Sequence, residues 1–298
     1  MGRLVGCFAT SHAPQVMIDP DHWHLINRPR PTEPLADELR DMSLEVQWER
    51  WNRTRAAADQ VREQIDELKP DTVIVIGDDQ HENMIDDNMP PFTVFIGDDV
   101  EASVSLKYLG QTPDQNRTRY TVDSALGKWT IDQLMESGFD PSYSHRTRYV
   151  GGLGHAFARA LKLLTPEAQY AILPVMVNTY YPPVPSARRC AQFGRALASA
   201  VASFPRATRA VVIASGGLSH TKIDLDLDRA FVDALKSNDV AHMEAMANDD
   251  LVDGTSEIRC WIVAATAADR PARVLAYEPL PRVPEGNGVG MGVAAWDM

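Results

Sequence analysis

Three histidines share a position in this sequence: each follows an apolar run within a few residues. Residues 4–9 give way to Thr10-Ser11-His12-Ala13-Pro14, and residues 71–77 to Asp78-Asp79-Gln80-His81-Glu82-Asn83. Residues 210–215 give way to Gly216-Gly217-Leu218-Ser219-His220. A carboxylate, Glu257, stands just ahead of the apolar run 258–268. Open α/β sheets bind ligands beyond the carboxyl ends of their strands, so one cleft could gather all four groups. Two neutral imidazoles and one carboxylate, with coordination positions left open, are what a non-haem ferrous centre needs. The open positions would admit substrate and dioxygen together, and a further histidine near the metal could move protons.

Each residue also has a plainer use. His12 could brace the turn at Pro14, and His81 could simply be solvated. Glu257 in a first helical turn gains from the helix dipole without any metal. His155, after Gly151-Gly152-Leu153-Gly154, could only open a helix. Those glycines hint at a phosphate loop but lack the GxGxxG spacing and the following Lys-Ser/Thr. His22 and His24 are rival ligands, while His145 and His242 have weaker positions.

The elements that must position these groups follow from periodicity. Val211, Val212 and Ile213 suit a strand covered on both faces, and Gly216 and Gly217 permit a sharp bend and a close ligand approach. Residues 18–34, rich in proline and polar groups, read as a long ordered loop or lid. Apolar residues at helical spacing predict a long amphipathic helix over 42–68, ended by Pro70 and followed by a strand over 71–77. Further strands are expected at 92–96, 142–148, 170–177, 273–277 and 291–296, with 101–120 irregular and polar. Helices are expected at 124–137, 156–164, 187–202 and, in parts, 228–247. Ser186 is the expected N-cap of the third, and Ser256 that of a helix beginning at Glu257. Helix-then-strand order implies parallel strands. The fold class is therefore α/β, with a central mixed, mostly parallel sheet flanked by helices and the metal site at strand C-terminal ends. With no repeat and no Gly/Ser-rich linker, residues 1–298 read as a single domain.

The balance of 29 basic and 41 acidic residues gives a net charge of −12, which argues against nucleic acid or an anionic membrane as partner. Three separated cysteines, Cys7, Cys190 and Cys260, make neither a disulfide framework nor a thiolate zinc site. A cytoplasmic setting fits them, and the N-terminus lacks a signal-peptide layout. No apolar run reaches transmembrane length. The long helix and six tryptophans point to a homo-oligomer, dimer or higher.

In chain order, Ser11-His12-Ala13-Pro14, Asp79-Gln80-His81 after a strand, Gly154-His155 before a helix, Gly216-Gly217-Leu218-Ser219-His220, and Glu257 before an apolar helix resemble the class III extradiol ring-cleavage dioxygenases. That family includes the protocatechuate 4,5-dioxygenase β subunit, gallate dioxygenase and 3-O-methylgallate dioxygenase. The resemblance runs from about residue 4 to residue 296. Residues 77–83 look closer to the methylgallate branch than to protocatechuate enzymes, where Asn-Asp-His is usual. The resemblance implies that His12, His81 and Glu257 hold Fe(II). It makes His220 the acid/base residue and His155 a second histidine near the substrate hydroxyls or oxygen. It also implies extradiol (meta) cleavage of a catecholic aromatic acid with O2. Tyr180, Tyr181 and the 18–34 loop are candidates for the pocket wall. Two other classes stand beside this one: a zinc-dependent hydrolase using the same His/His/Glu set, and a non-catalytic binding protein with a vestigial cleft.

Overall fold

The computed structural model describes residues 1–26, 35–284 and 287–298. The chain opens with β1 (Gly2–Thr10), α1 (Pro14–Met17), α2 (Leu44–Leu68), β2 (Thr72–Gly77) and β3 (Phe92–Phe95). Then come β4 (Asp99–Ser103), β5 (Arg117–Thr121), α3 (Ser124–Glu136), β6 (Ser142–Ser144), α4 (His155–Leu164) and β7 (Ala171–Val177). The last third holds α5 (Ala187–Ser203), β8 (Thr208–Ser215), α6 (Leu225–Ser237), α7 (Val240–Ala245), α8 (Ile258–Ala268), β9 (Arg273–Pro281) and β10 (Gly288–Asp297).

Eight of these strands form one sheet in the order β6-β3-β7-β2-β8-β1-β10-β9. The middle four, β7-β2-β8-β1, run parallel, and β9, β10 and the β3–β7 pair add antiparallel edges. The mixed, mostly parallel sheet flanked by helices is thus the architecture observed. Alternation along the middle strands explains how both faces are covered. Ile74 and Ile76 of β2 face a core built with α3, α5 and α8, while Val73 and Val75 face one built with α2 and α4. β8 splits the same way, Val212 against Val211 and Ile213. A register shift between Leu4 and Gly6 lets β1 follow the same division.

The long helix falls at Leu44–Leu68, where Lys69 ends it in the left-handed conformation one residue before Pro70. Ser186 caps α5, its Oγ accepting from Arg189 N–H at 3.2 Å. Three expectations need correction. Residues 101–120 are not wholly irregular, because β4 and β5 pair antiparallel over Asp99–Ser103 and Arg117–Thr121. Their alternation is short and mostly polar, and the pairing is reinforced by Arg117–Glu101 and Arg119–Asp99 contacts at 2.6 Å. The strand expected over 142–148 is only Ser142–Ser144. Ser256 is not an N-cap: a 3-10 turn over Asp253–Glu257 leads into α8, and the buried Ser256 Oγ has no hydrogen-bond partner. Within the expected 18–34 loop, Pro20–Leu25 is a 3-10 turn, and residues 27–34 lie outside the described residues.

β1, β8 and β2 are adjacent and in register, Thr10 opposite Ser215 and Ile76 opposite Ala214. Their carboxyl ends therefore finish side by side, and the segments after them must share one edge of the sheet. Central β2 sets that edge. Ile74→Ala, at a fully buried position, should lower unfolding free energy by about 2–5 kcal/mol. Ser186→Ala should cost only about 1 kcal/mol. Urea titrations of the two variants check the contrast.

Candidate active site

His12 stands two residues past β1 and is buried. Its Nδ1 lies 2.9 Å from Ser215 Oγ, and that hydroxyl donates its single proton to the Ala156 carbonyl at 2.6 Å. Ser215 can therefore only accept from His12, which puts the imidazole proton on Nδ1 and leaves a lone pair on Nε2. Burial pushes the His12 pKa down to about 3, against the pull of Glu257, so the ring is a neutral donor near pH 7. Its Nε2 is 3.6 Å from Glu257 Oε1.

Glu257 is 1% exposed and sits at the junction of the 3-10 turn and α8. Gly217 N–H donates to its Oε2 at 2.7 Å, and Gln80 Nε2 donates to its Oε1 at 3.2 Å. Burial pushes the Glu257 pKa up, but the neighbouring His12 and His220 side chains, able to share a proton with it, and the Gly217 N–H bring it below the ordinary carboxylate value. Asp78, directly after β2, is equally buried. Gln80 Nε2 donates to its Oδ2 at 3.1 Å, while Oδ1 has no hydrogen-bond partner. Burial, then the charge of Glu257, pushes the Asp78 carboxyl well above its ordinary range. Donor atoms of His12, Asp78 and Glu257 all lie within 4.8 Å of one another. Two donors each about 2.1 Å from one ion can be up to roughly 4.2 Å apart, so the His12–Glu257 spacing already suits a shared cation. A neutral imidazole, the Glu257 carboxylate and an oxygen of Asp78 make up a donor set of the kind that binds a divalent metal.

His220 ends the glycine turn after β8. Its Nδ1–H donates to the Leu218 carbonyl at 2.9 Å, and its Nε2 faces Glu257 Oε1 at 3.5 Å. The ring occupies space that Gly254 leaves free: a Cβ there would fall 1.8 Å from His220 Cδ2. The turn is anchored by Asp228, which accepts from Ser219 N–H at 2.7 Å, Ser219 Oγ at 2.8 Å and Tyr277 Oη at 2.8 Å. His155 is the first residue of α4. Its backbone N–H and its Nδ1–H both donate to Glu82 Oε2, at 2.9 and 3.0 Å. A Cβ on Gly154 would clash with that carboxylate oxygen at 2.2 Å. The His155 ring stands edge-on to His12, with centroids 5.2 Å apart.

A cavity of about 420 Å³ opens over these groups. His12, His155, His220 and Glu257 line it, and Ser103 at the end of β4 and Ser105, Lys107, Tyr108, Gln111 and Pro113 between β4 and β5 close one flank. Tyr180 and Arg159 complete the wall, and Arg159 Nη1 donates to the His12 carbonyl at 3.3 Å.

Four of the five residues singled out from the sequence thus meet here; His81 does not. Its ring stacks on Tyr181, centroids 3.5 Å apart and planes 7° apart, and its Nε2 lies 3.2 Å from Asp86. Its positive φ of 58° turns the segment outward. His22 and His24 are exposed, paired with Asp19 and the Asp21 carbonyl. Asp78 and Gln80 were not singled out, although the polar residues crowding the end of β2 were the available signal.

A family profile described as the catalytic LigB subunit of aromatic ring-opening dioxygenase matches residues 42–285. A gallate dioxygenase from Pseudomonas putida is 32% identical over 100 residues, 33% of this chain and 28% of that protein. A 2,3-dihydroxyphenylpropionate/2,3-dihydroxicinnamic acid 1,2-dioxygenase from Photorhabdus laumondii is 33% identical over 100 residues, 33% of this chain and 30% of that one. The corresponding protein of Cupriavidus necator is 26% identical over 208 residues, 51% of this chain and 64% of that one. The chain thus matches less than a third of the length of the first two relatives. The crystal structure of an uncharacterized Escherichia coli K12 protein superposes with a TM-score of 0.50 at 12% identity, over 97% of this chain and 99% of that one. That likeness is one of fold. Among the described residues no helix is long and apolar enough to cross a membrane.

The Asp228 anchor gives the His220 turn a pH signature. Burial, opposed by the Ser219 and Tyr277 donors, pushes this carboxyl from 3.8 to about 6. Between those values the folded state binds more protons than the unfolded state, so stability falls as pH rises through the window, by roughly 3 kcal/mol. Asp228→Asn lacks this slope. Wild-type stability minus variant stability should therefore shrink from about pH 4 to about pH 6, as read by urea unfolding at each pH.

Proposed function

This chain belongs to the family of the catalytic LigB subunit of aromatic ring-opening dioxygenase, and from that premise we propose that it performs extradiol ring cleavage. In this reading residues 1–298 act as a single catalytic domain, and a catecholic aromatic acid is opened beside its diol by O2 with Fe(II). The observation that carries the reading is the convergence of a neutral His12, an ionised Glu257 and an inward-facing His220 Nε2 on one cavity.

His12 and Glu257 would hold the iron together with a third donor from the segment after β2. When bound, Fe(II) supplies acidification of the substrate hydroxyls and a shared centre for the diol and dioxygen. The chain's own groups do the rest. His220, with Nδ1–H committed to Leu218, has Nε2 free to accept a proton from a substrate hydroxyl and to return it as the ring opens. His155 has its Nδ1–H committed to Glu82 and so turns Nε2 toward the same space as a second proton carrier. Lys107 and Arg159, bordering the cavity, supply positive charge for a substrate carboxylate. A volume of about 420 Å³ suits a single aromatic ring with its substituents. Gallate, 3-O-methylgallate, protocatechuate and 2,3-dihydroxyphenylpropionate are the substrates to try, the last from the names of the matched relatives.

Protein purified and loaded with Fe(II) anaerobically should consume oxygen with at least one of these catechols, followed with an oxygen electrode. No uptake with any of them refutes ring cleavage, and metal-dependent hydrolysis without oxygen would move the protein to the zinc-hydrolase class. His220→Ala should retain iron and lose turnover by about a hundredfold or more. Loss of iron in that variant would make His220 a ligand instead.

A further inference from the structure

We propose that Asp78, and not His81, is the third protein donor to the metal, with Gln80 as the residue that positions it. The site would then hold its ion with one imidazole and two carboxylates. The proposal rests on the reading that this cavity takes a divalent metal, and it concerns which side chains bind that ion.

Three observations carry it. Asp78 follows β2, which is fixed by parallel pairing to β7 on one side and β8 on the other. Its carboxylate is held at the same strand edge as His12 and Glu257, with donor atoms inside 4.8 Å. Second, the two Asp78 oxygens are used unequally. Oδ2 accepts from Gln80, while Oδ1 is fully buried and has no partner. A buried carboxylate oxygen left bare is costly, and a cation is the group that satisfies it. Gln80 Nε2 bridges Asp78 Oδ2 and Glu257 Oε1, so one amide holds both carboxylates in place. Third, His81 is engaged elsewhere, flat against Tyr181 and directed at Asp86, on a backbone turned outward at φ 58°.

The charges agree. Once a metal displaces the proton that burial favours on Asp78, two carboxylates and a neutral imidazole sum to −2, which a divalent ion cancels within a buried pocket. Two hard oxygen donors and one nitrogen favour Fe(II) or Mn(II) over softer, more thiophilic ions. Carboxylate in place of imidazole also makes a bound iron more electron-rich.

The test is metal binding, read without substrate. Chelator-stripped wild type, Asp78→Asn, Asp78→Ala and His81→Ala are titrated anaerobically with Fe(II) by equilibrium dialysis and metal analysis. Melting temperature with and without Fe(II) is the second readout. Both Asp78 variants should bind at least tenfold more weakly, and their melting temperature should gain little from the ion. His81→Ala should stay within about threefold of wild type and keep the full gain. A tenfold loss in His81→Ala, or wild-type affinity in Asp78→Asn, overturns the assignment. Should both Asp78 variants fail to fold, His81→Ala decides: unchanged affinity supports the assignment and a tenfold loss overturns it. Wild type that binds no Fe(II) overturns this proposal and the ring-cleavage reading together. Asp78-dependent binding without oxygen uptake from catechols overturns only the latter.

Discussion

A fully buried carboxylate sets the terms for the rest of this molecule. Glu257 is almost wholly withdrawn from solvent at the floor of the cavity, and the surrounding chain is arranged to tolerate its charge. Gly217 offers it a backbone N–H and Gln80 an amide. None of these neighbours is close in sequence, so the compensation exists only when the fold is complete. A buried anion whose partners are removed costs several kcal/mol. The functional centre and the stability of this edge of the sheet are therefore one problem.

The parallel middle of the sheet solves it by register. Because β1, β8 and β2 end side by side, three separate segments arrive at one edge without long connections. Each then spends its first polar residues on fixing its neighbours. Ser215 fixes the tautomer of His12, and Asp79 accepts from the N–H groups of Glu82, Asn83 and Met84 to curl the segment after β2. Glu82, placed by that curl, reaches across to hold His155. His220 and His155 are oriented by hydrogen bonds to groups that cannot themselves donate, Leu218 O and the Glu82 carboxylate. That arrangement leaves Nε2 of both rings toward the cavity.

Much of this was legible in the sequence because it rests on strong local signals. The runs at 71–77 and 210–215 are too apolar and β-branched to be anything but covered strands, and the α2 pattern is long enough to be read by periodicity alone. Polar groups at strand ends brought His12 and His220 to one site, Glu257 was read at a helix start, and His155 was added by the family resemblance. The β4–β5 pairing was hidden because polar residues occupy most of its positions and cross-strand ion pairs supply part of what apolar alternation usually signals. His81 was misplaced for another reason. Strand order gives the edge of the sheet but not the direction of a side chain four residues past the end, and a positive φ turns this one away. An aspartate at a strand end reads as turn chemistry, and only its bare, buried oxygen marks Asp78 as different.

The flank formed between β4 and β5 has a wider implication. Five cavity-lining residues, Ser105, Lys107, Tyr108, Gln111 and Pro113, come from one connection whose flanking strands form a two-stranded sheet apart from the eight-stranded one. The chemistry at the strand ends and the shape of the chamber are therefore encoded in separable stretches of chain. Evolution could exchange the 104–116 connection, altering what the cavity admits, while the groups at the strand ends and their supporting lattice stay unchanged.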